Sequence, residues 1–308
     1  MTEWRRIEPF FNLGGLFVIL VFPIAMNLPV LGYLIETAAL AFVILFALQR
    51  RQLFLALGSI GSAVIASLLF GPSPLLLGVW ALVIIPGTVF GRLVRNGVTP
   101  GRTLVVAMII TAAISLFIFA SEKKLLMESM DEMQKWVQTT LTADSGSIDE
   151  KTDMISWANN VAAVIKRLMP ALMVLSGVMQ LFVSVMAVII LLRGTGQFAP
   201  SLGSYLFWKI SFNYMYVTGI FMAVRLAAGG SLQVIADNFL VVMGVIYAVF
   251  GFSLIEYFLR RIKASIFLKL IFYIGFVFLQ LPGLVFAAVL GMFDSYFDFR
   301  RVKAKMIG

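Results

Sequence analysis

Long apolar runs separated by short basic clusters constrain this chain more than any other feature. A run of about 17–25 apolar residues is long enough to cross a bilayer as a helix. Inside hydrocarbon, every backbone N–H and C=O must find a partner within the protein, so an apolar run of this length is read as a helix. The runs are 11–27, 30–48, 53–70, 75–91, 103–120, 169–192, 210–228 and 232–259. The tail, from Ser265 onward, is either one helix kinked at Pro282 or two short spans, 265–281 and 283–299. Pro23 and Pro29 interrupt the first run, so it is expected to persist as a helix rather than act as a cleaved leader.

The predicted fold class is therefore all-α: a polytopic transmembrane helix bundle of about ten spans, the last two a short hairpin. Composition agrees. Apolar residues make up 61% of the chain and charged residues 13%, against about 45–50% and 25% in soluble domains. The net charge of +9 sits in clusters between runs, as in cytoplasmic membrane loops, and not in a nucleic-acid-binding face. The absence of Cys and His removes thiol nucleophiles, disulfides, imidazole bases and most structural zinc sites. There is no P-loop, and no pair of acids forms a convincing catalytic dyad across two spans. No catalytic residue, metal site or cofactor is assigned, and an enzyme is not expected.

Between the fifth and sixth runs the composition changes. Residues 121–168 hold eight of the chain's fifteen acidic residues. Leu126, Met130, Met133, Val137 and Leu141 recur at helical spacing, and so do Ile155, Ala158, Ala162 and Ile165. A helical hairpin is expected here, outside the membrane. The organisation read from this is a five-span half (1–120), the helical insert (121–168) and a second membrane half (169–308).

Charge bias orients the chain. With the N-terminus inside, Arg50/Arg51, Arg92/Arg95/Arg102, Arg193/Lys209 and Arg260/Arg261/Lys263 all fall on the cytoplasmic side. The turns near Leu28, Pro72 and Gly229 fall outside and carry no Lys or Arg. A closing hairpin returns Arg300, Arg301, Lys303 and Lys305 inside as well. Both termini are therefore expected on the cytoplasmic side of the membrane.

Ionisable residues inside spans are costly and mark candidate sites. By position along their runs, Glu36, Arg225 and Asp237 share a depth in the outer half, with Asn238 adjacent and Trp80 close in depth. Span seven adds Asn213 and Tyr216. These seven residues are the candidate ligand pocket, and a structural ion pair between Arg225 and Asp237 is the competing reading. Asp294 and Asp298 are expected to clasp Arg260, Arg261 and Lys269 at the inner face, with Arg300 and Arg301 beside them. Gly87 and Gly91 form a GxxxG element, and Gly58–Ser62 a second small-residue face, both suited to close helix packing.

The tail, Leu290-Gly291-Met292-Phe293-Asp294-Ser295-Tyr296-Phe297-Asp298-Phe299-Arg300-Arg301, resembles the closing motif of the YybS-like bacterial membrane proteins, the domain of unknown function numbered 2232. Gly251 to Arg261 and Phe207-Trp208-Lys209 resemble earlier segments of that family. The first half is similar to the substrate-binding S components of energy-coupling-factor transporters. That similarity rests on the short uncharged outer turns, Arg50-Arg51, and Gly87 to Arg95. It implies a small-molecule site near the outer face and an ATPase-driven membrane partner. The alternative is a non-transporting scaffold acting through the insert or the basic cytoplasmic face.

Overall fold

The computed structural model describes residues 2–25, 29–71, 74–143 and 148–300. They form nine α-helices: α1 (Thr2–Ala25), α2 (Pro29–Leu48), α3 (Gln52–Phe70), α4 (Pro74–Arg95), α5 (Pro100–Ala143), α6 (Ile148–Gly194), α7 (Asn213–Ala227), α8 (Gly230–Arg261) and α9 (Ile266–Phe297). A single 3-10 turn, Tyr205–Phe207, precedes α7, and no strand occurs among the described residues.

Seven of the ten expected spans are helices long and apolar enough to cross a membrane, among the described residues. The other three are shorter or more polar. Asn12–Ile24 and Ile266–Phe276 are short apolar helices, and α7 has only 15 residues, about 22 Å of helix.

The chain divides into two compact units, one of residues 1–166 with 172–201 and one of residues 167–171 with 202–308. In the first unit, α2 supplies the core. Val43, Ile44 and Phe46 are wholly buried, with Ala39, Leu40, Leu45 and Ala47 nearly so. A helix apolar on every side must be surrounded by protein or lipid, and α2 packs on α1, α3 and α4. The GxxxG element sets one of these contacts. A Cβ at Gly91 would lie 2.5 Å from the Ala47 Cβ and 2.8 Å from the Ile44 carbonyl oxygen, and one at Gly87 would lie 2.8 Å from Val43. The small-residue face of α3 serves in the same way, with Gly58 against Ile19 and Gly61 against Leu20 of α1. On the opposite side of α3, Leu53, Leu57, Ile60, Val64 and Leu68 are exposed at steps of three and four, a stripe suited to lipid.

The insert is a helical hairpin, as its spacing implies, but its arms are not separate helices. They continue α5 and α6, and α5 bends at Glu122 (φ −113°, ψ 16°). Met130 and Ala162 are buried in the hairpin. Asn159 accepts hydrogen bonds from Gln134 (2.7 Å) and Gln138 (2.6 Å), and Lys166 donates to Asp131 (2.5 Å) and Gln134 (2.8 Å). Met133, expected on the inner stripe, is exposed instead.

The second unit is built from α7, α8 and α9. Its core gathers Ile210, Met243 and Tyr247, with Phe239, Ile246, Phe250, Ala288 and Met292 packed around them. The tail is one helical element in two halves, broken at Gln280 (φ 46°, ψ −119°) rather than at the expected Pro282–Gly283. Pro282 explains the shift, because its ring removes a helical N–H and crowds the preceding turn. Both halves pack on α8. Phe276 meets Phe252 at 5.1 Å between ring centroids. Further on, Gly251 and Gly291 let the α8 and α9 backbones touch.

Candidate functional site

Glu36 sits two turns into α2, where the helix faces a cleft of about 330 Å³. The walls come from four helices of the first unit: Gly32, Tyr33 and Glu36 of α2, Val79 and Leu82 of α4, Ser115 of α5, and Met173, Ser176, Gly177 and Gln180 of α6. These positions lie in the first halves of α2 and α4 and, along α5 and α6, within a few turns of the hairpin arms. Gly177 lets α6 approach α5, since a Cβ there would lie 3.0 Å from Thr111 and 3.1 Å from the Ser115 hydroxyl.

The cleft holds an under-satisfied polar group. Gln180 is 6% exposed and Ser115 1% exposed, yet among the described residues the Ser115 hydroxyl has no hydrogen-bond partner. A buried donor left unpaired costs about 1–3 kcal/mol. The Glu36 carboxylate has the Gln180 side chain beside it and no Lys or Arg on the cleft wall.

The other expected pocket residues do not line this cleft. The Trp80 indole N–H points to α3, donating to the Ser59 carbonyl and the Ser62 hydroxyl, each at 3.1 Å. Asn213 and Tyr216 are exposed on α7, and Tyr216 packs edge-on against Phe212 at 4.9 Å. Arg225 and Asp237 do pair across the Gly229–Gly230 turn, Nε to Oδ1 at 2.9 Å. Arg167 closes on the other Asp237 oxygen, so Asp237 is held between two guanidiniums.

Asn238 plays a structural part beside this pair. Its Oδ1 accepts from the Ala171 N–H at 2.8 Å, and its Nδ2 donates to the Arg167 carbonyl at 2.9 Å. Those backbone groups are the pair that an uninterrupted helix joins, i to i−4. The carboxamide thus bridges the helical ladder of α6 next to Pro170. Asn238→Ala is expected to destabilise the protein by about 1–3 kcal/mol. Asn238→Asp should cost more, because it sets a carboxylate against the Arg167 carbonyl. Thermal unfolding of the two variants checks the order.

At the tail, the clasp has other partners than expected. Arg260 and Lys269 bond Glu256, each at 2.7 Å, with the Tyr273 hydroxyl donating to the same carboxylate at 2.9 Å. Arg261 is exposed and Arg301 lies outside the described residues. Asp298 pairs instead with Lys209 at 2.8 Å, and Asp294 with Arg300 at 2.6 Å. Asp298 ends α9 in the left-handed region (φ 49°, ψ 53°), a conformation Asp tolerates better than most side chains. The chain after it folds back, so Arg300 becomes fully buried. Its guanidinium donates to the Leu206 and Trp208 carbonyls (2.6 Å each), the Ser253 hydroxyl (2.8 Å) and Asp294.

A family model described as "Predicted membrane protein (DUF2232)" matches residues 15–295. The chain belongs to this family. Comparison with curated proteins and with solved structures finds no match. As a member of the DUF2232 family it is a membrane protein, and its apolar helices provide the spans. The family description names no activity.

Sequence reasoning singled out Glu36 but not the residues that share its cleft. Gln180, Ser115 and Ser176 are uncharged polar residues scattered in apolar runs, and such residues are common there. The available signal was that Gln180 is the only Gln in the 169–192 run.

Proposed function

We propose that this protein is a small-molecule-binding component of the bacterial cytoplasmic membrane, serving transport, with its binding site in the Glu36 cleft. The state of Glu36 carries this reading. The other carboxylates described on α8 and α9 each hold a cation: Asp237 with Arg167 and Arg225, Glu256 with Arg260 and Lys269, Asp294 with Arg300, and Asp298 with Lys209. Glu36 faces the cleft instead, with Gln180 beside it and the Ser115 hydroxyl of the same cleft unpartnered among the described residues. A span retains such a group at a cost, and function is the default reason.

The volume supports the same reading, lying at the low end of the about 300–1,000 Å³ range of ligand pockets. The charge bias of the loops supports a cytoplasmic N-terminus, which turns the cleft and the hairpin to the outer side. The Arg225–Asp237 cluster supports a structural role in the second unit.

A thermal-unfolding screen of the protein in nanodiscs, against a broad panel of polar metabolites, tests the proposal. At least one compound should raise the unfolding temperature. At a free concentration 100 times Kd, the gain is about 2.7 kcal/mol. Met173→Trp, which fills the cleft, should remove it. A panel with no stabilising compound, or a stabilisation that survives Met173→Trp, defeats the proposal.

A further inference from the structure

The lining of the cleft specifies more than its existence. One of its ten residues is an acid and none is a Lys or Arg. An anionic ligand would bring a second negative charge beside Glu36 with no cation to offset it, and burying unpaired charge is costly. A cationic ligand would do the reverse and supply the partner that the other paired carboxylates obtain from the chain itself. The second constraint is Gln180. Its amide nitrogen can only donate, it is nine-tenths buried and it lies beside the Glu36 carboxylate, so it supports the carboxylate form that a cation would pair with. The unpartnered Ser115 hydroxyl can donate or accept. Val79, Leu82 and Met173 supply an apolar wall, which favours a ligand with a compact hydrophobic body. Tyr33 adds an aromatic side chain to the lining, a residue type that can attract a cation.

We infer that the cleft takes small organic cations: amines or amidines that place a charged N–H donor on Glu36 and carry a small apolar body. This rests on the cleft-binding reading above and adds the charge class of the ligand. Phosphorylated and carboxylate metabolites are excluded by the same argument.

A matched set of probes tests it: 2-phenylethylamine, 2-phenylethanol and 3-phenylpropionate, titrated to millimolar concentration against the full-length protein in nanodiscs. Wild type, Glu36→Gln, Met173→Trp and Leu82→Trp are compared. The last two fill the cleft from different walls, so a folding defect in one leaves the other informative. The amine should bind at least tenfold more tightly than the alcohol or the acid. Glu36→Gln should erase that preference, and both Trp variants should abolish binding of all three. If the alcohol or the acid binds as tightly as the amine, and the Trp variants still block it, the cleft is a binding site and the charge class is wrong. If none of the three binds, or binding persists in both Trp variants, the cleft reading falls together with the charge class.

Discussion

Arg300→Ala should destabilise the second unit by about 3–5 kcal/mol, the usual cost of breaking a buried ion pair from one side. The reason lies in how completely the site is closed. The Arg300 side chain is 0% exposed and that of Asp294 1%. Removing the guanidinium strands the Asp294 carboxylate and leaves the Leu206 and Trp208 carbonyls without this donor. Arg300→Lys should recover only part of the loss, because one ammonium cannot span two carbonyls, a hydroxyl and a carboxylate in the planar arrangement the guanidinium provides. The pairing predicts a further result. Arg300→Met combined with Asp294→Leu should be less damaging than either change alone, since no buried charge remains unpaired. Thermal or denaturant unfolding measures all five variants. Wild-type stability in Arg300→Ala would show that the tail is not latched in this way.

The second large effect belongs to the crossing of α8 and α9. A Cβ on Gly251 would stand 1.8 Å from the Ala287 carbonyl oxygen, and one on Gly291 would stand 2.0 Å from that of Tyr247. Both obstacles are backbone atoms, which cannot rotate away. Gly251→Ala must therefore push the helices apart. Overpacking of this kind costs about 1–3 kcal/mol even where side chains can yield, and the loss here should reach or exceed the top of that range. Gly244→Ala in the same helix is the control. A Cβ there meets nothing within 4 Å, and replacing a helical glycine should leave stability unchanged or raise it by about 0.5–1 kcal/mol. If Gly251→Ala and Gly244→Ala unfolded at the same temperature, the helices could not be in backbone contact.

These two features show what the sequence conveyed and what it withheld. Hydropathy reports where a residue lies along a span, so the helical class and the hairpin were legible. It does not report which spans adjoin. Glu36 was grouped with Arg225 and Asp237 by depth, whereas its cleft is walled by α4, α5 and α6 and the Arg225–Asp237 pair is completed by Arg167. The GxxxG spacing of Gly87 and Gly91 disclosed their packing role because both lie on one face of one helix. Gly251 and Gly291 act together from different helices, and neither has a helical partner at that spacing. The tail clasp was legible as charge and illegible as geometry. Asp294 and Arg300 are six residues apart, and they meet only because Asp298 adopts the left-handed conformation that turns the chain back.

The central claim is that the Glu36 cleft holds a small molecule. Native mass spectrometry of the protein released from nanodiscs, wild type beside Met173→Trp and Leu82→Trp, tests it most directly. The wild type expressed in bacteria should carry a bound species of small-metabolite mass, distinct from phospholipid and substoichiometric or absent in both Trp variants. Identical spectra for the three proteins would contradict the claim.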